Sequence, residues 1–370
     1  MRGAAPAPDG GGDARVLAVV AAGRRVADPE DAAGREARER LPAASGLSAE
    51  GVELALRHHL EASIAPEELR ALRGRAGSAA RCHVVLSANV CTAALRAIAF
   101  AAATAPALFV KPSRRDPVVA ELLVRALAGS EAFGAAGGSI ALVPAISPAP
   151  GDEVHVYGSD ATIAAIQGAL PEGVALRAHG AGFGVAIAEA GADLEELAGG
   201  VAAAVVPFDQ RGCLSPRVLL VEGGADRALE VAEAVALCLE GAEGRAPRGG
   251  LDGEARAEIA RYVATAAAVG AAFEGPGYAV GADVDPRGLV LPPAARVLHV
   301  VKVDAAAAAR LLAPWKEKVT TVGTVSGRTD GEVSLAVRRA LPEGVRFVRL
   351  ADMQRPPLDG PVDLRRVTRG

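Results

Sequence analysis

Residues 81–113 read RCHVVLSANVCTAALRAIAFAAATAPALFVKPS, and this stretch decides the fold. A short apolar run rich in β-forming residues covers 83–87, a helical composition follows over 92–103, and another apolar run covers 108–110. A strand, a helix and a strand at this spacing predict a βαβ unit, whose two strands lie parallel in one sheet.

The same alternation continues on both sides of this unit. Towards the carboxyl end, strands are predicted at 140–144, 153–157, 174–178, 185–188, 217–221, 273–280, 296–303, 319–325 and 346–350. The helices predicted there are 117–128, 160–170, 193–201, 226–240, 254–269, 305–312 and 331–341. Towards the amino end, we predict a strand at 15–22 and helices at 28–40, 48–60 and 65–72. The fold class is therefore α/β, with a parallel sheet in the first half.

The length of the chain sets the number of domains. With 370 residues it exceeds what a single ordinary core accommodates, so we expect two domains. We predict a disordered leader at 1–14, a dinucleotide-binding domain at 15–206 and a catalytic domain with the thiol at 207–342. A C-terminal strand and tail at 343–370 is expected to return to the first domain.

The composition argues against several classes of protein. Hydrophobic residues make up 51% of the chain and charged residues 23%, which is typical of a folded globular protein. The formal net charge of −4 provides no basic surplus for nucleic acid or for an anionic membrane. The alanine-rich run at 97–107 is shorter than the roughly 20 apolar residues that span a bilayer, and 1–15 lack a signal-peptide pattern. We expect a cytoplasmic protein with no nucleic-acid partner and no membrane partner.

The cysteines indicate the redox environment. Four are present, without a CxxC pair and without a His/Cys cluster at metal-ligand spacing. This pattern is neither a disulfide framework nor a zinc site, and it fits a reducing cytosol. We predict no metal site.

Polar residues follow several of the predicted parallel strands, where such sheets bind ligands. Asn89 follows the strand at 83–87, and its amide could donate to an oxyanion or simply turn the chain into the next helix. Lys111, one of only four lysines, and Ser113 flank the end of the next strand, where a ribose or phosphate would lie. A solvent-facing lysine is the alternative. Gly158-Ser159 and His179-Gly180 follow two further strands.

Residues 208–216, FDQRGCLSP, place one cysteine on a tight polar loop between two apolar elements. Gly212 lets the backbone turn or approach a ligand closely, so Cys213 could be an exposed nucleophile. It could equally be one more small buried apolar residue. His179 lies at a strand end upstream and could accept the thiol proton if the two meet in space.

The order of these motifs resembles the aldehyde dehydrogenase superfamily. Three stretches, SANV at 87–90, VKPSRRDP at 110–117 and FDQRGCLSP at 208–216, are similar to its acyl-CoA reductase branch of the LuxC type, with MQRPP at 353–357 as a further echo. That branch includes the fatty-acid reductase component of bacterial bioluminescence. The resemblance implies an aldehyde dehydrogenase-like fold, with a parallel-sheet dinucleotide-binding domain and a second α/β catalytic domain.

The resemblance also assigns roles to single residues. Cys213 matches the nucleophile and Asn89 the oxyanion-hole amide, Lys111 and Ser113 match ribose and phosphate contacts of the nicotinamide cofactor, and Gly158 and Ser159 match the turn beside its phosphates. Oxidising aldehyde dehydrogenases have a glutamate base about where His179 stands, and its absence fits a thioester reductase. Two departures are Cys91, where the branch often has proline, and the lack of a glutamate–phenylalanine–glycine–proline stretch after the cysteine.

We therefore predict an NADPH-dependent reduction, with NADH possible, of an acyl-CoA or acyl-carrier-protein thioester to the aldehyde through an acyl-Cys213 intermediate. His179 is the candidate that activates the thiol, and a homo-oligomer is expected from the superfamily. Two alternatives stay open: an aldehyde dehydrogenase working in the oxidative direction, and a non-catalytic subunit that retains the fold.

Overall fold

A computed structural model describes residues 10–365, which form two β-sheets covered by helices. The strands are β1 (Arg81–Val85), β2 (Ala107–Lys111), β3 (Ser139–Leu142), β4 (Glu153–Tyr157), β5 (Ala175–His179), β6 (Phe183–Ala188), β7 (Pro216–Glu222), β8 (Gly270–Gly275), β9 (Tyr278–Asp283), β10 (Val297–Val303), β11 (Val319–Thr324) and β12 (Arg346–Arg349). The helices are α1 (Gly10–Ala27), α2 (Ala32–Ser45), α3 (Ala49–His58), α4 (Pro66–Arg75), α5 (Ala93–Thr104), α6 (Val118–Ala128), α7 (Glu131–Ala135), α8 (Asp160–Ala169), α9 (Leu194–Val205), α10 (Ala225–Glu243), α11 (Gly253–Val269), α12 (Ala305–Leu312) and α13 (Glu332–Ala340).

The first sheet has five parallel strands in the order β3-β2-β1-β4-β5. The order reverses between β1 and β4, so a crevice opens at the carboxyl ends of these two strands, and ligands bind at such a switch point. The larger hydrophobic core of this first unit is formed by the sheet together with α1, α2, α3, α5 and α6. Helix α5 is buried on all sides because its mostly small side chains let the sheet and α1 approach closely.

The second sheet has seven strands in the order β12-β11-β6-β7-β10-β9-β8. All neighbours are parallel except the β8–β9 pair, which is antiparallel. Helices α9 and α10 cover one face, and α12 and α13 cover the other. The predicted α/β class, with a parallel sheet and a second α/β unit, is confirmed.

The prediction for the amino end was wrong in two respects. The run at 15–22, predicted as a strand, lies in the middle of α1, which packs against α5 and α6. A helix buried on most sides has an apolar run like that of a buried strand, so hydrophobic periodicity does not separate them. The predicted leader at 1–14 is also too long, because α1 begins at Gly10, while 1–9 lie outside the described residues.

The segment at 273–280, predicted as one strand, is a hairpin. Strand β8 ends at Gly275, β9 begins at Tyr278, and the two pair in antiparallel register. Pro276 stands between two glycines at the turn, and proline has no amide hydrogen for a ladder bond, so a continuous strand cannot pass through it. Most other predicted elements are present with ends shifted by a few residues, whereas α7 had no predicted counterpart.

The change from one sheet to the other occurs between His179 and Phe183, not at the predicted boundary after residue 206. Strand β6 and helix α9, predicted to lie in the first unit, belong to the second because β6 pairs with β7 and β11. The C-terminal strand β12 also pairs within the second sheet. The alternation of strands and helices continues unbroken across the junction, so it does not mark the change of sheet.

The segment after β12 contacts the first unit through its backbone. The buried Arg96 of α5 donates to the carbonyl oxygens of Pro356, Pro357 and Gly360 at 2.9, 2.9 and 2.7 Å. Its guanidinium also pairs with Glu61 at 2.6 Å. The tail is thus fixed on an arginine that the first core encloses.

In the described part of the chain, no helix is both long enough and apolar enough to cross a membrane.

Candidate active site

The carboxyl edge of the first sheet gathers the polar residues that follow its strands. Val85 at the end of β1 is in register with Lys111 on one side and with Val156 on the other. On the next strand, His179 is in register with Tyr157. The segments that follow β1, β2, β4 and β5 therefore leave the sheet side by side.

The segment after β1 carries Asn89 and contacts the loop of residues 208–216, which carries Cys213 and is called the cysteine loop. Asn89 is exposed, and the base of its segment is fixed by a bond from the Leu86 amide to the Lys111 carbonyl, 3.0 Å. A β-carbon at Gly212 would lie 3.3 Å from Val90 Cγ2, so the two loops are in direct contact. The structure thus brings the segment of Asn89 against the residue that precedes Cys213.

The cysteine loop begins with an unusual turn. After α9, residues 207–210 form a short helical turn in which Phe208, Asp209 and Gln210 have φ values of 55°, 49° and 62°. Left-handed conformations of residues other than glycine cost of order 1 kcal/mol each and persist only where the surroundings fix them. Gln210 supplies part of that support: its amide bonds both backbone groups of Val297, at 2.7 and 2.8 Å, and the Pro216 carbonyl at 2.7 Å.

A buried ionic cluster supports the same turn. Arg296, with 2% of its surface exposed, pairs with Asp209 at 2.8 Å and with Glu243 at 3.0 Å. Arg296 also donates to the Ala246 carbonyl at 2.7 Å, and Asp209 accepts from the Gly249 amide at 3.0 Å. Asp209 is only 3% exposed, so its charge depends on these partners.

The residues on either side of the thiol are fixed by their backbones and by Gln354. Gln354 Nε2 donates to Ser215 Oγ at 3.2 Å and to the Ala204 carbonyl at 3.0 Å. The Gly184 amide donates to the Ser215 carbonyl at 2.9 Å, and the Thr320 hydroxyl donates to the Cys213 carbonyl. The Cys213 backbone is therefore held by β6 and β11 as well as by its own loop.

The environment of Cys213 disfavours the thiolate. Burial raises the pKa of the thiol to about 11, and the Asp363 carboxylate contributes to the rise, while the Arg365 guanidinium opposes it. Asp363 and Arg365, both about 5% exposed in their side chains, form a two-point pair, from Nε to Oδ1 at 2.8 Å and from Nη2 to Oδ2 at 2.7 Å. Burial alone would raise the pKa of Asp363, but bonds from Arg365 lower it. Sequence reasoning missed both residues.

His179 lies at the end of β5, buried, with its ring stacked on Tyr157 at a centroid distance of 4.6 Å. It is close enough to Asp363 to contribute to the lowered pKa of that carboxyl. The structure thus places His179 and Cys213 within electrostatic range of the same carboxylate. Histidine is the side chain that most often acts as a general base, so His179 stays the candidate for accepting the thiol proton.

We expect Asp363→Asn to make Cys213 more reactive. Removal of the carboxylate lowers the pKa of the thiol, so the thiolate fraction at pH 8 rises, and modification by iodoacetamide should accelerate on the order of tenfold. In the unsubstituted protein the rate should climb with pH until about pH 11, whereas it should level off earlier in the variant. Peptide mass mapping of Cys213 measures both rates.

Asp352→Asn is the matched control, since Asp352 is exposed on the same C-terminal segment and is not among the charges that shift the Cys213 thiol. It should leave the rate unchanged. A slower or equal rate in Asp363→Asn would contradict the electrostatic role given to this carboxylate.

The residues predicted for the cofactor line the same edge. Lys111 is half-buried at the end of β2 and forms no ion pair within the described range. Ser113 Oγ accepts from the Arg115 amide at 3.3 Å. Ser159 caps α8 by accepting from the Thr162 amide at 3.2 Å, and the Gly158 amide donates to the His179 carbonyl at 3.1 Å.

These features fit a dinucleotide. The crevice between β1 and β4 opens beside the N-terminus of α8, where free backbone amides favour a phosphate. After β2, the exposed Arg114 and Arg115 follow Lys111 and Ser113, and no acidic residue intervenes. The next residue, Asp116, is largely buried, and burial raises its pKa. Across 10–365, no cluster of three or more histidine, cysteine, aspartate or glutamate side chains could hold a metal ion.

Comparison with known proteins gives one family and one fold. The model of a family described as acyl-CoA reductase (LuxC) matches residues 53–369. Among curated protein sequences nothing matches. An oxidoreductase from Marinobacter aquaeolei has a TM-score of 0.67 at 13% identity, covering 93% of this chain and 78% of its own.

Two further solved structures are similar to the chain. An NAD-dependent benzaldehyde dehydrogenase from Corynebacterium glutamicum has a TM-score of 0.64 at 17% identity, covering 93% of this chain and 82% of its own. An aldehyde dehydrogenase from Mycobacterium tuberculosis, solved with NAD⁺, also scores 0.64 at 17% identity, covering 92% of this chain and 78% of its own. At these identities the likeness shows the fold, which is that of the aldehyde dehydrogenases.

Proposed function

The chain belongs to the acyl-CoA reductase (LuxC) family, and from this premise we propose that it reduces an acyl thioester of CoA or of a carrier protein to the aldehyde with NADPH. The observation that carries the proposal is the contact between the cysteine loop and the segment of Asn89, seen at Gly212 and Val90. It brings a candidate nucleophile and a candidate oxyanion donor to the carboxyl edge of a sheet with a dinucleotide-binding strand order.

Acyl transfer to Cys213 is the first step. The thiol proton moves to His179, the sulfur attacks the thioester carbonyl, and the carbon–sulfur bond to the carrier breaks, so that the carrier leaves as a thiolate that takes up a proton. The Asn89 amide and the Cys213 backbone amide are the proposed donors to the tetrahedral oxyanion. A base is required because the thiol pKa of about 11 leaves little thiolate at neutral pH.

Reduction follows at the acyl-cysteine. NADPH, when bound at the crevice between β1 and β4, supplies the hydride to the acyl carbon. The residues of this chain then have two tasks: Asn89 stabilises the developing oxyanion, and Cys213 departs as a thiolate when the aldehyde forms. The resemblance implies that His179 stands about where an oxidising enzyme has its glutamate base, and the absence of that glutamate favours the reductive direction.

Mixing the protein with acyl-CoAs of graded chain length and recording its intact mass tests this function. We expect an acyl adduct on Cys213, release of one equivalent of CoA, and loss of the adduct as aldehyde when NADPH is added. Consumption of NADPH without CoA release would argue against the thioester reaction. An aldehyde and NADP⁺ that yield free acid without CoA would indicate the oxidative alternative.

The preference for NADPH should depend on Arg114 and Arg115. A guanidinium close to the end of β2 is suited to the ribose 2′-phosphate. We expect Arg114→Gln/Arg115→Gln to raise the KM for NADPH on the order of tenfold, because a charge-assisted bond to phosphate is lost. The KM for NADH, which has no 2′-phosphate, serves as the internal control and should stay constant. An equal rise for both cofactors would remove these arginines from 2′-phosphate recognition.

A further inference from the structure

A cavity of about 330 Å³ opens between α11, the start of β7 and the segment at 290–293. Its polar lining consists of Arg217, Glu258, Arg261, Tyr262 and Thr265, and residues 290–293 (Val-Leu-Pro-Pro) form an apolar wall. None of these residues takes part in the chemistry proposed for Cys213. Two arginines against one glutamate give the cavity an excess of positive charge.

Arg217 is the unusual member of this set. Its side chain is half-buried, and its Nε is enclosed without a hydrogen-bond partner among the described residues. Within 10–365 its guanidinium forms no ion pair, although Glu258 lies within electrostatic range. Burial lowers its pKa to about 10, so it remains charged at neutral pH. A partly buried charge without an ion pair is costly, and the cost is offset when an anion binds to it.

The two hydroxyl groups that line the cavity already form hydrogen bonds within the protein. The Tyr262 hydroxyl is bonded to the Leu298 carbonyl and to His299 Nδ1, both at 3.0 Å. The Thr265 hydroxyl donates to the Arg261 carbonyl at 2.8 Å. The donors that remain for a ligand are the guanidinium groups of Arg217 and Arg261. A planar guanidinium group can donate two parallel hydrogen bonds to two oxygens of one phosphate. The apolar wall suits an organic chain attached to that phosphate.

The cavity lies close to the thiol along the chain. Arg217 follows Cys213 by four residues, so their Cα atoms are at most about 14 Å apart. The connection is rigid, because Leu214, Ser215 and Pro216 are buried and Ser215 is bonded to Gly184 and Gln354. A phosphopantetheine arm carries its thiol at one end and its phosphate at the other, separated by a flexible amide chain. The phosphate of an acyl thioester bound at Cys213 is thus within reach of this region.

Resting on the proposed function, we propose that the cavity binds the phosphate of the phosphopantetheine arm, with Arg217 and Arg261 as its ligands. CoA and the prosthetic group of a carrier protein share this chemistry. The site lies against the second sheet, whereas the residues assigned to the dinucleotide follow strands of the first sheet. It would hold the carrier while its acyl group is transferred.

Calorimetric titration with 4′-phosphopantetheine, pantetheine and CoA tests the proposal on the intact protein. Arg217→Gln should weaken binding of phosphopantetheine and of CoA by roughly tenfold to a hundredfold, because charge-assisted bonds are lost, and should leave pantetheine binding as it was. Arg256→Gln, an exposed residue of the same helix outside the cavity, is the matched control and should not change any affinity. The Tm of Arg217→Gln without ligand should be equal or higher, since an unpaired buried charge is removed.

Three results would overturn the proposal. The first is equal affinity of the Arg217→Gln variant and the unsubstituted protein for phosphopantetheine. The second is a lowered Tm together with equal loss of pantetheine binding, which would make Arg217 a structural residue. The third is competition for the site by 2′,5′-ADP but not by phosphopantetheine, which would assign it to the dinucleotide.

KM values distinguish CoA from a carrier protein as the carrier of the acyl group. Kinetic and binding measurements together distinguish a failure of the cavity proposal from a failure of the proposed function. If the site serves both carriers, the KM for acyl-CoA and for acyl-carrier protein should rise together in Arg217→Gln, while the KM for a phosphate-free acyl-N-acetylcysteamine thioester stays constant. The calorimetric titrations measure binding alone and do not depend on catalytic turnover. An unsubstituted protein that never forms an acyl-Cys213 adduct would refute the proposed function and leave the binding result to be judged by itself.

Discussion

Cys213→Ala should abolish acyl transfer. Without the sulfur no acyl-enzyme forms, so the adduct disappears from the intact mass and the rate of aldehyde formation falls by about 10³-fold or more. The loop itself should persist, because its fixed points are the Cys213 carbonyl, Ser215 and Gln210, not the thiol. Thermal unfolding should therefore be nearly unchanged. Mass spectrometry after mixing with acyl-CoA, with NADPH consumption at saturation, measures both effects.

Cys238→Ala is the matched control for this experiment. Cys238 is half-buried on α10, and burial raises the pKa of its thiol too, but it lies outside the loop of residues 208–216. We expect full activity and one acyl adduct in that variant. Undiminished biological activity in Cys213→Ala would favour the alternative of a non-catalytic subunit that retains the fold.

Arg296→Met should destabilise the protein by about 3–5 kcal/mol, the usual effect of removing one member of a buried ion pair. Asp209, 3% exposed, would lose its 2.8 Å ion pair with Arg296 and keep only the 3.2 Å pair with the partly exposed Arg211, and the Ala246 carbonyl would lose its donor. The φ of 62° at position 296 is as unfavourable for arginine as for methionine, so backbone strain does not confound the comparison. The free energy of unfolding in urea is the quantity to measure.

Two further variants sharpen the result. Arg328→Met removes an exposed pair with Asp330 and should change stability by about 1 kcal/mol or less. The double variant Asp209→Asn/Arg296→Met should be more stable than Arg296→Met alone, because the buried position 209 then carries no charge. A loss in Arg296→Met as small as that of Arg328→Met would show that the cluster does not support the turn before Cys213.

Local patterns were sufficient to predict most of the fold. The bounds of β4 were predicted without error, because a short run with alternating valines lies there between Asp152 and Gly158, both unfavourable in strands. Helix α1 was predicted as a strand because burial on most sides removes the period that identifies a helix. The hairpin of β8 and β9 was missed although Gly275-Pro276-Gly277 indicated it, since glycine and proline together mark a turn.

Site residues could be predicted only where the sequence pattern that indicates them lies within one continuous segment. Lys111, Ser113, Gly158 and Ser159 each follow a short apolar run, and the loop of Cys213 has its own glycine and proline. These assignments of role stay predictions. Asp363, Arg365 and Arg296 could not be found in this way, because their contacts join segments far apart in the chain and exist only once both sheets are packed. The electrostatic environment of the thiol is therefore a property of the tertiary fold.

Arg96 lies within the first core, yet three of its acceptors, the carbonyl oxygens of Pro356, Pro357 and Gly360, belong to residues 260 to 264 positions further along the chain. During synthesis, this guanidinium therefore has Glu61 as its partner before those carbonyl groups can reach it. The segment that then docks also carries Gln354, which donates a hydrogen bond to Ser215, and Asp363, which raises the pKa of the Cys213 thiol. A nascent chain can thus build its first sheet early, but its reactive loop is completed only after residues 354–363 have been translated.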